Sequence, residues 1–299
     1  IRLGVMEVAH HGVPPHGRYK ELSQEGYDMS LPSNRRPQSV SAAREGWHGW
    51  DDYAPFYDWE SAQTVQRRDV GFWQRLAARI GGPILELGCG TARVSLPVAR
   101  TAEMVVGVDR SSEMLDRARS RLRRSRYGPR VKLIRGDIRA LPVLNSAPFQ
   151  LAMAPYGILQ SLLRDRDLRD TLCSVAGVLQ RGGTFGIDLV PELPTWGEYH
   201  RRVSLRARRG ARGGHLTLIE SVRQDRDRGI TTFDQEFIER KGSRRSRHQF
   251  SIAFRTLSIR KMRNRLERAG FDVEAVLGDY RGRTWDSHAQ AWIILARRR

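Results

Sequence analysis

From Val70 the apolar residues Trp73, Leu76, Ala77 and Ile80 recur at helical spacing until Gly81-Gly82-Pro83 ends the run. Beyond it, short apolar runs alternate with amphipathic stretches. Strands are predicted over 84–87, 104–108, 131–134, 150–154 and 184–189, with helices over about 94–101, 112–124 and 168–179. Repeated strand–helix units build a parallel sheet with right-handed crossovers and helices on both faces. Between about Pro191 and Arg255 the period changes to two. Val203, Leu205 and Ala207, then Leu216, Leu218, Glu220 and Val222, then Phe233, Gln235 and Phe237, then Phe250, Ile252 and Phe254 each alternate with residues of other character. This predicts an inserted antiparallel sheet of about four strands. A helix over 259–269, ended by Gly270, and strands over 273–277 and 291–296 return the chain to the first sheet. The fold expected is α/β: a doubly wound, mostly parallel seven-stranded sheet with an inserted antiparallel β cap.

The division that follows is a flexible N-terminal extension over 1–46, a main domain over 47–190 and 256–299, and the cap over 191–255. The extension is rich in Gly, Pro, Ser and His and has no sustained period. At 47–62 the aromatic residues Trp47, Trp50, Tyr53, Phe56, Tyr57 and Trp59 crowd among acids, as in a packed lid or a helix face. No apolar run reaches 18 residues, which excludes a membrane-spanning helix, and no export segment is indicated, so a cytoplasmic protein is expected. Two cysteines, Cys89 and Cys173, make no disulfide framework and match no zinc spacing; His10, His11 and His16 have no second cluster to complete a site, so no metal is expected. The formal net charge of +19 points toward a polyanion, but only four of the 52 basic residues are lysines. That lopsided ratio reads as coding bias more than as selection for phosphate contact.

The chemistry concentrates at strand ends. Strand 84–87 runs into Gly88-Cys89-Gly90-Thr91-Ala92-Arg93, a glycine turn opening a helix, where backbone can approach a ligand. A dinucleotide fold would need a third glycine where Arg93 stands. Instead Glu86 lies two residues before the first glycine, and its carboxylate suits a cationic ligand and repels pyrophosphate. Asp109 ends the second strand, where it can accept from both hydroxyls of a ribose. Ser111 is placed to cap the next helix, with Glu113 in its first turn. Asp137 follows the third strand in Arg135-Gly136-Asp137-Ile138, and Ala154-Pro155-Tyr156 ends the fourth.

Together these motifs resemble the class I, Rossmann-like S-adenosylmethionine-dependent methyltransferases of small-molecule type, over roughly Trp47 to Leu189 and the last helix and strand pair. The resemblance implies S-adenosylmethionine as cofactor, with Glu86, Gly88, Cys89 and Gly90 at its methionine portion and Asp109 at the ribose. It places Asp137 and Ile138 beside the adenine, Met114 or Arg110 against the ring, Ala154 among the cofactor-binding residues, and Tyr57 or Tyr53 reaching in from the lid. Ala92 departs from the family, which usually has a third glycine there.

The reaction implied is in-line methyl transfer to nitrogen or oxygen, for which a protein supplies mainly proximity, orientation and a dry pocket. Neither cysteine is placed for pyrimidine C5 chemistry. The segment Ala154-Pro155-Tyr156-Gly157 lacks the polar residue and first proline of nucleic-acid amine methyltransferases. The insertion looks like the cap that roofs the acceptor in small-molecule enzymes. Tyr156, Gln160, Trp196, Arg255 and Tyr280 are expected to face the acceptor. Tyr156 and His200 are the candidate catalytic residues, with Glu220 and Asp234 as further candidate bases. RNA as acceptor ranks second, and a protein that binds the cofactor without turnover third. No membrane partner is expected, and the insertion's strands are candidates to pair across a homodimer.

Overall fold

The computed structural model describes residues 49–64, 69–142, 149–191, 197–210, 214–286, 289 and 291–299. The extension expected over 1–46 lies outside them, as do Trp47 and Trp196. Helices α1 (Trp50–Gln63) and α2 (Val70–Ile80) precede strand β1 (Pro83–Leu87), helix α3 (Ser95–Val98), β2 (Met104–Asp109), α4 (Ser112–Leu122), β3 (Val131–Arg135) and β4 (Phe149–Ala154). Then come α5 (Asp165–Val178), β5 (Leu179–Leu189), β6 (Tyr199–Arg208), β7 (His215–Asp225), β8 (Ile230–Lys241), β9 (Arg244–Arg255), α6 (Ile259–Arg268), β10 (Phe271–Leu277) and β11 (Trp292–Arg298).

Seven strands form one sheet in the order β10-β11-β5-β4-β1-β2-β3, and β11 runs antiparallel to both of its neighbours. Its inner strands are buried on both faces, which is why they read as short continuous apolar runs. One face packs on Trp73, Leu76, Val98 and Leu122, the other on Leu168, Leu172, Met262 and Leu266. This is the doubly wound α/β architecture expected, with the antiparallel sheet β6-β7-β8-β9 inserted between β5 and α6.

Boundaries differ where local chemistry intervenes. Helix α3 is shorter than the 94–101 expected, because Pro97 lacks an N–H and the next bonds, Arg100 N to Pro97 O and Thr101 N to Val98 O, are of the tighter i to i+3 kind. Helix α5 starts at Asp165 rather than 168; Asp165 and Asp167 in its first turn favour the helix dipole. In β6 the expected phase is wrong at one residue. A register shift between Val203 and Leu205 turns Val203 outward, 44% exposed, and Ser204 inward, because a bulge inserts one residue and flips the alternation.

The inward face of the second sheet carries Leu216, Leu218, Phe237 and Ile252, which close over Tyr53, Phe56 and Trp59 of α1. Phe56 stacks on Phe237 at 4.5 Å between ring centroids. Trp59 Nε1 donates to Arg208 O at 3.3 Å, and Arg209 Nη2 donates to Pro55 O at 2.7 Å. The other side of α1 holds the main sheet: Ser111 Oγ donates to Asp51 Oδ1 at 2.5 Å, and Thr91 Oγ1 and Arg121 Nη2 both donate to Asp58 Oδ1 at 2.7 Å. Helix α1 therefore bridges the two sheets.

Candidate functional site

Strand order reverses at β1, which lies between β2 and β4, and an open α/β sheet leaves a crevice outside the carboxyl ends of its strands at such a point. A cavity of about 770 Å³ occupies that place. Its walls come from the ends of β1 to β4, from α1, and from Phe254 of β9.

The turn after β1 makes the floor. Gly90 has φ 53°, and a Cβ there would point into open space, so the bare backbone faces the cavity. Ala92 also takes a left-handed φ of 59°, where the sequence expectation has a glycine. That conformation costs about 1–2 kcal/mol for a residue with a Cβ; burying the methyl, worth about 0.8 kcal/mol, offsets part of it.

Glu86 lines the cavity yet is nearly buried, and Ser95 Oγ donates to its Oε2. Burial pushes its carboxyl up to about 8 against the pull of the Ser95 hydrogen bond and Arg93, so near neutrality a cation brought to it would displace its proton. Asp109 Oδ2 accepts from Gly90 N at 2.7 Å and Oδ1 from Ser111 N at 2.9 Å, which fixes the carboxylate at the cavity's edge. Burial raises Asp109 too, while the Ser111 and Gly90 N–H groups pull it back. Ser111 caps α4 through Met114 N at 3.1 Å. Cys89 is a buried turn residue whose thiol burial pushes well up, which leaves it inert as a nucleophile.

Burial raises Asp137, but the Arg139 hydrogen bonds outweigh it and hold the carboxyl below the usual range; Arg139 Nη2 lies at 2.7 Å and Arg110 Nη1 at 3.4 Å. Arg110, Met114, Asp137 and Ile138 all line the cavity. Tyr156 is held at φ 53° by Asp188, which accepts Tyr156 N at 3.2 Å, while the Arg93 guanidinium lies 5.6 Å from its ring centroid. A side-chain-bearing residue in that conformation at a cavity wall is strain of the kind that collects at functional sites. Tyr57 lines the same wall.

The structure thus gathers Tyr57, Glu86, Gly88, Cys89, Gly90, Asp109, Arg110, Met114, Asp137, Ile138 and Tyr156 around one cavity. It does not bring in the rest. Ala154 is fully buried inside β4 behind Pro155, which takes its place in the wall. Gln160 clamps Val190, donating to its O at 3.1 Å and accepting its N at 2.8 Å. Arg255 turns to Asp165 at 2.5 Å, and the Tyr280 hydroxyl donates to Asp188 at 2.9 Å. His200 is exposed on β6, the edge strand of the cap, and is not among the residues that line the cavity. Trp196 lies outside the described residues.

Sequence reasoning missed a set of buried charges beneath the cavity. Asp69, ahead of α2, makes a two-pronged ion pair with Arg93, and Asp188 ends β5 with no basic partner at salt-bridge distance among the described residues. Burial, and then the Asp69 charge, push Asp188 up to about 7. An acid raised on folding contributes stability that is complete below its unfolded value near 3.8 and lost as pH rises toward 7. Asp188→Asn is therefore expected to flatten the fall in stability between about pH 4 and 7 by up to one proton, about 1.4 kcal/mol per pH unit. Urea unfolding at several pH values checks it; parallel curves for wild type and variant would refute it.

The arrangement suits a ligand carrying an ammonium at Glu86, vicinal hydroxyls at Asp109 and a flat apolar ring over Met114 and Ile138. The family model of the methyltransferase domain matches residues 84–183. No curated protein sequence matches the chain. Among solved structures, the CcbJ methyltransferase from Streptomyces caelestis superposes with a TM-score of 0.70 at 21% identity, covering 83% of this chain and 97% of that one. The sugar N-methyltransferase KedS8 from Streptoalloteichus sp ATCC 53650 gives 0.66 at 13% identity over 95% of this chain and all of its own. The S-adenosylmethionine-bound CalS10, an amino pentose methyltransferase from Micromonospora echinaspora involved in calicheamicin biosynthesis, gives 0.57 at 18% identity over 90% and 100%.

Proposed function

We propose that the chain, whose residues 84–183 match the methyltransferase domain and whose sheet has the doubly wound order, is a class I, Rossmann-like methyltransferase dependent on S-adenosylmethionine that methylates a nitrogen of a small molecule. The observation that carries the reading is the cavity itself: about 770 Å³, built at the strand ends and covered by α1 and the inserted sheet. That volume suits a nucleoside-sized cofactor with a small acceptor beside it. KedS8, a sugar N-methyltransferase, and CalS10, an amino pentose methyltransferase, share this architecture and favour nitrogen.

In this reading Glu86 and the backbone from Gly88 to Gly90 hold the methionine end of the cofactor, Asp109 its ribose hydroxyls, and Met114 and Ile138 its adenine. Asp137, kept ionised by Arg139, accepts from the adenine amino group. When bound, the cofactor supplies an electrophilic methyl carbon on a sulfonium. The chain's own residues then do three things. Helix α1 and the cap exclude water, Tyr57 and Tyr156 shape the acceptor's side of the cavity, and the wall fixes the line of attack.

The test is transfer of labelled methyl from S-adenosylmethionine to matched panels of amino sugars, sugar hydroxyls, phenols and RNA. Incorporation into amines is expected. Label in hydroxyl compounds alone would move the reading to oxygen. Label in RNA, with RNA binding that falls steeply between low and physiological salt, would replace it with the reading that the +19 charge favours.

A further inference from the structure

Two carboxylates lie close together between α1 and the cap with no cation between them. Glu60 stands on α1 one turn beyond Tyr57, which lines the cavity. Its Oε2 accepts from the Tyr53 hydroxyl and its Oε1 from Gln235 Nε2 at 3.0 Å. The same Nε2 donates to Glu220 Oε2 at 3.1 Å, and Glu220 Oε1 accepts from the Tyr199 hydroxyl and from Ser204 Oγ at 3.3 Å. Both N–H groups of the Gln235 amide are thereby engaged. Its carbonyl Oε1 is buried with no partner among the described residues, and the side chain belongs to a residue only 6% exposed.

The cluster has hydrogen-bond donors but no positive charge among the described residues. Three buried acids of this chain receive arginines, Asp69 from Arg93, Asp167 from Arg139, and Glu236 from Arg201 and Arg247, while Glu86 and Asp188 at the cavity, like Glu60 and Glu220, receive none among the described residues. Among the described residues Glu60 and Glu220 form no ion pair, in a chain with 52 Lys and Arg. Burying two carboxylates without a counter-ion is unfavourable, and the cost is relieved by uptake of a proton or of a cation from outside.

We propose that Glu60, Glu220 and Gln235 form the amine subsite of the acceptor, an ammonium seated between the two carboxylates with its third N–H on Gln235 Oε1. The proposal rests on the nitrogen reading above. The ammonium gives one proton to Glu60, which frees a lone pair on nitrogen. That pair forms the N–C bond to the methyl carbon as the C–S bond breaks, and the electrons of the C–S bond remain on sulfur as a thioether. The methylated ammonium leaves, and Glu60 releases its proton to solvent. Burial, with the Glu220 charge adding, pushes Glu60 up to about 7 against the hydrogen bonds of Tyr53 and Gln235, which suits proton transfer near neutrality. The titratable groups facing Glu60 are Tyr53 on its own helix, Glu220 on β7 and Tyr156 after β4.

The test uses the full chain loaded with S-adenosylhomocysteine and two probes, methyl glucosaminide and methyl glucoside, titrated into wild type and Glu60→Gln. Wild type is expected to prefer the ammonium probe at least tenfold, and Glu60→Gln to lose that preference while its affinity for S-adenosylhomocysteine changes less than threefold. With an amine acceptor from the panel, kcat/KM of Glu60→Gln is expected to fall at least tenfold near pH 7. The loss should shrink as pH rises and the free amine sheds its own proton, a recovery that a merely structural role would not give. No ammonium preference in wild type, or an unchanged preference and pH profile in Glu60→Gln, overturns the subsite while methyl transfer to amines would still uphold the nitrogen reading. Transfer to hydroxyls but to no amine overturns both. Should Glu60→Gln fail to fold, Glu220→Gln leaves the contacts of α1 in place: loss of the preference there supports the subsite, and retention overturns it.

Discussion

Asp109→Ala is expected to weaken binding of S-adenosylhomocysteine by about 100-fold or more. A carboxylate accepting from two hydroxyls makes two charge-assisted hydrogen bonds of about 1.5–3 kcal/mol each, and every 1.4 kcal/mol is tenfold in affinity. The substitution also removes the anchor of the glycine turn, because Asp109 accepts Gly90 N at 2.7 Å and Ser111 N at 2.9 Å. Asp109→Asn separates the two roles. Its remaining oxygen can accept one of those N–H groups but not serve two hydroxyls as well, so an intermediate loss is expected. Calorimetric titration into both variants measures the effect, with NADH as a control that neither wild type nor variant binds. Affinity within threefold of wild type in Asp109→Ala would place the cofactor elsewhere in the cavity.

The position of Asp109 was legible because a strand end in an open α/β sheet is a place, not only a residue. Apolar runs buried on both faces announce the strands, and the strands announce where ligands can sit. Side-chain partners carry no such signal. Gln160, Arg255 and Tyr280 look like pocket residues because they are polar and near strand ends, yet each is engaged by a partner far along the chain: Val190, Asp165 and Asp188. Helix α1 was hard to read for a different reason. It is packed on both sides, by the cap and by the main sheet, so its aromatic residues form no single stripe. Glu60 hides in that run, since nothing local marks an acid whose partner Gln235 lies 175 residues away. Val203 was misplaced because a bulge depends on pairing, which a one-strand pattern does not contain.

Arg93 shows the same limit with a larger energetic consequence. In the sequence it serves only to exclude a dinucleotide fingerprint. In the structure its Nη1 and Nη2 reach Asp69 Oδ1 and Oδ2 at 2.8 and 2.7 Å, with side-chain exposures of 11% and 1%. Arg93→Ala is expected to destabilise the protein by about 3–5 kcal/mol, the range for removing one partner of a buried ion pair. The reason is the charge left behind: Asp69 would stand unpaired beside Asp188 and Glu86, both of which already feel its field. Asp69 also begins α2, its carbonyl accepting Phe72 N and Trp73 N at 3.0 and 3.2 Å, so relief of the charge by movement would loosen that helix from its start. The double substitution Arg93→Met with Asp69→Asn is expected to recover most of the loss, because it removes the orphaned charge and keeps the volume. Urea unfolding of the single and double variants measures this directly. A loss below about 1 kcal/mol for Arg93→Ala would mean that water replaces the guanidinium through the cavity, and would make Arg93 a residue of the wall more than of the core.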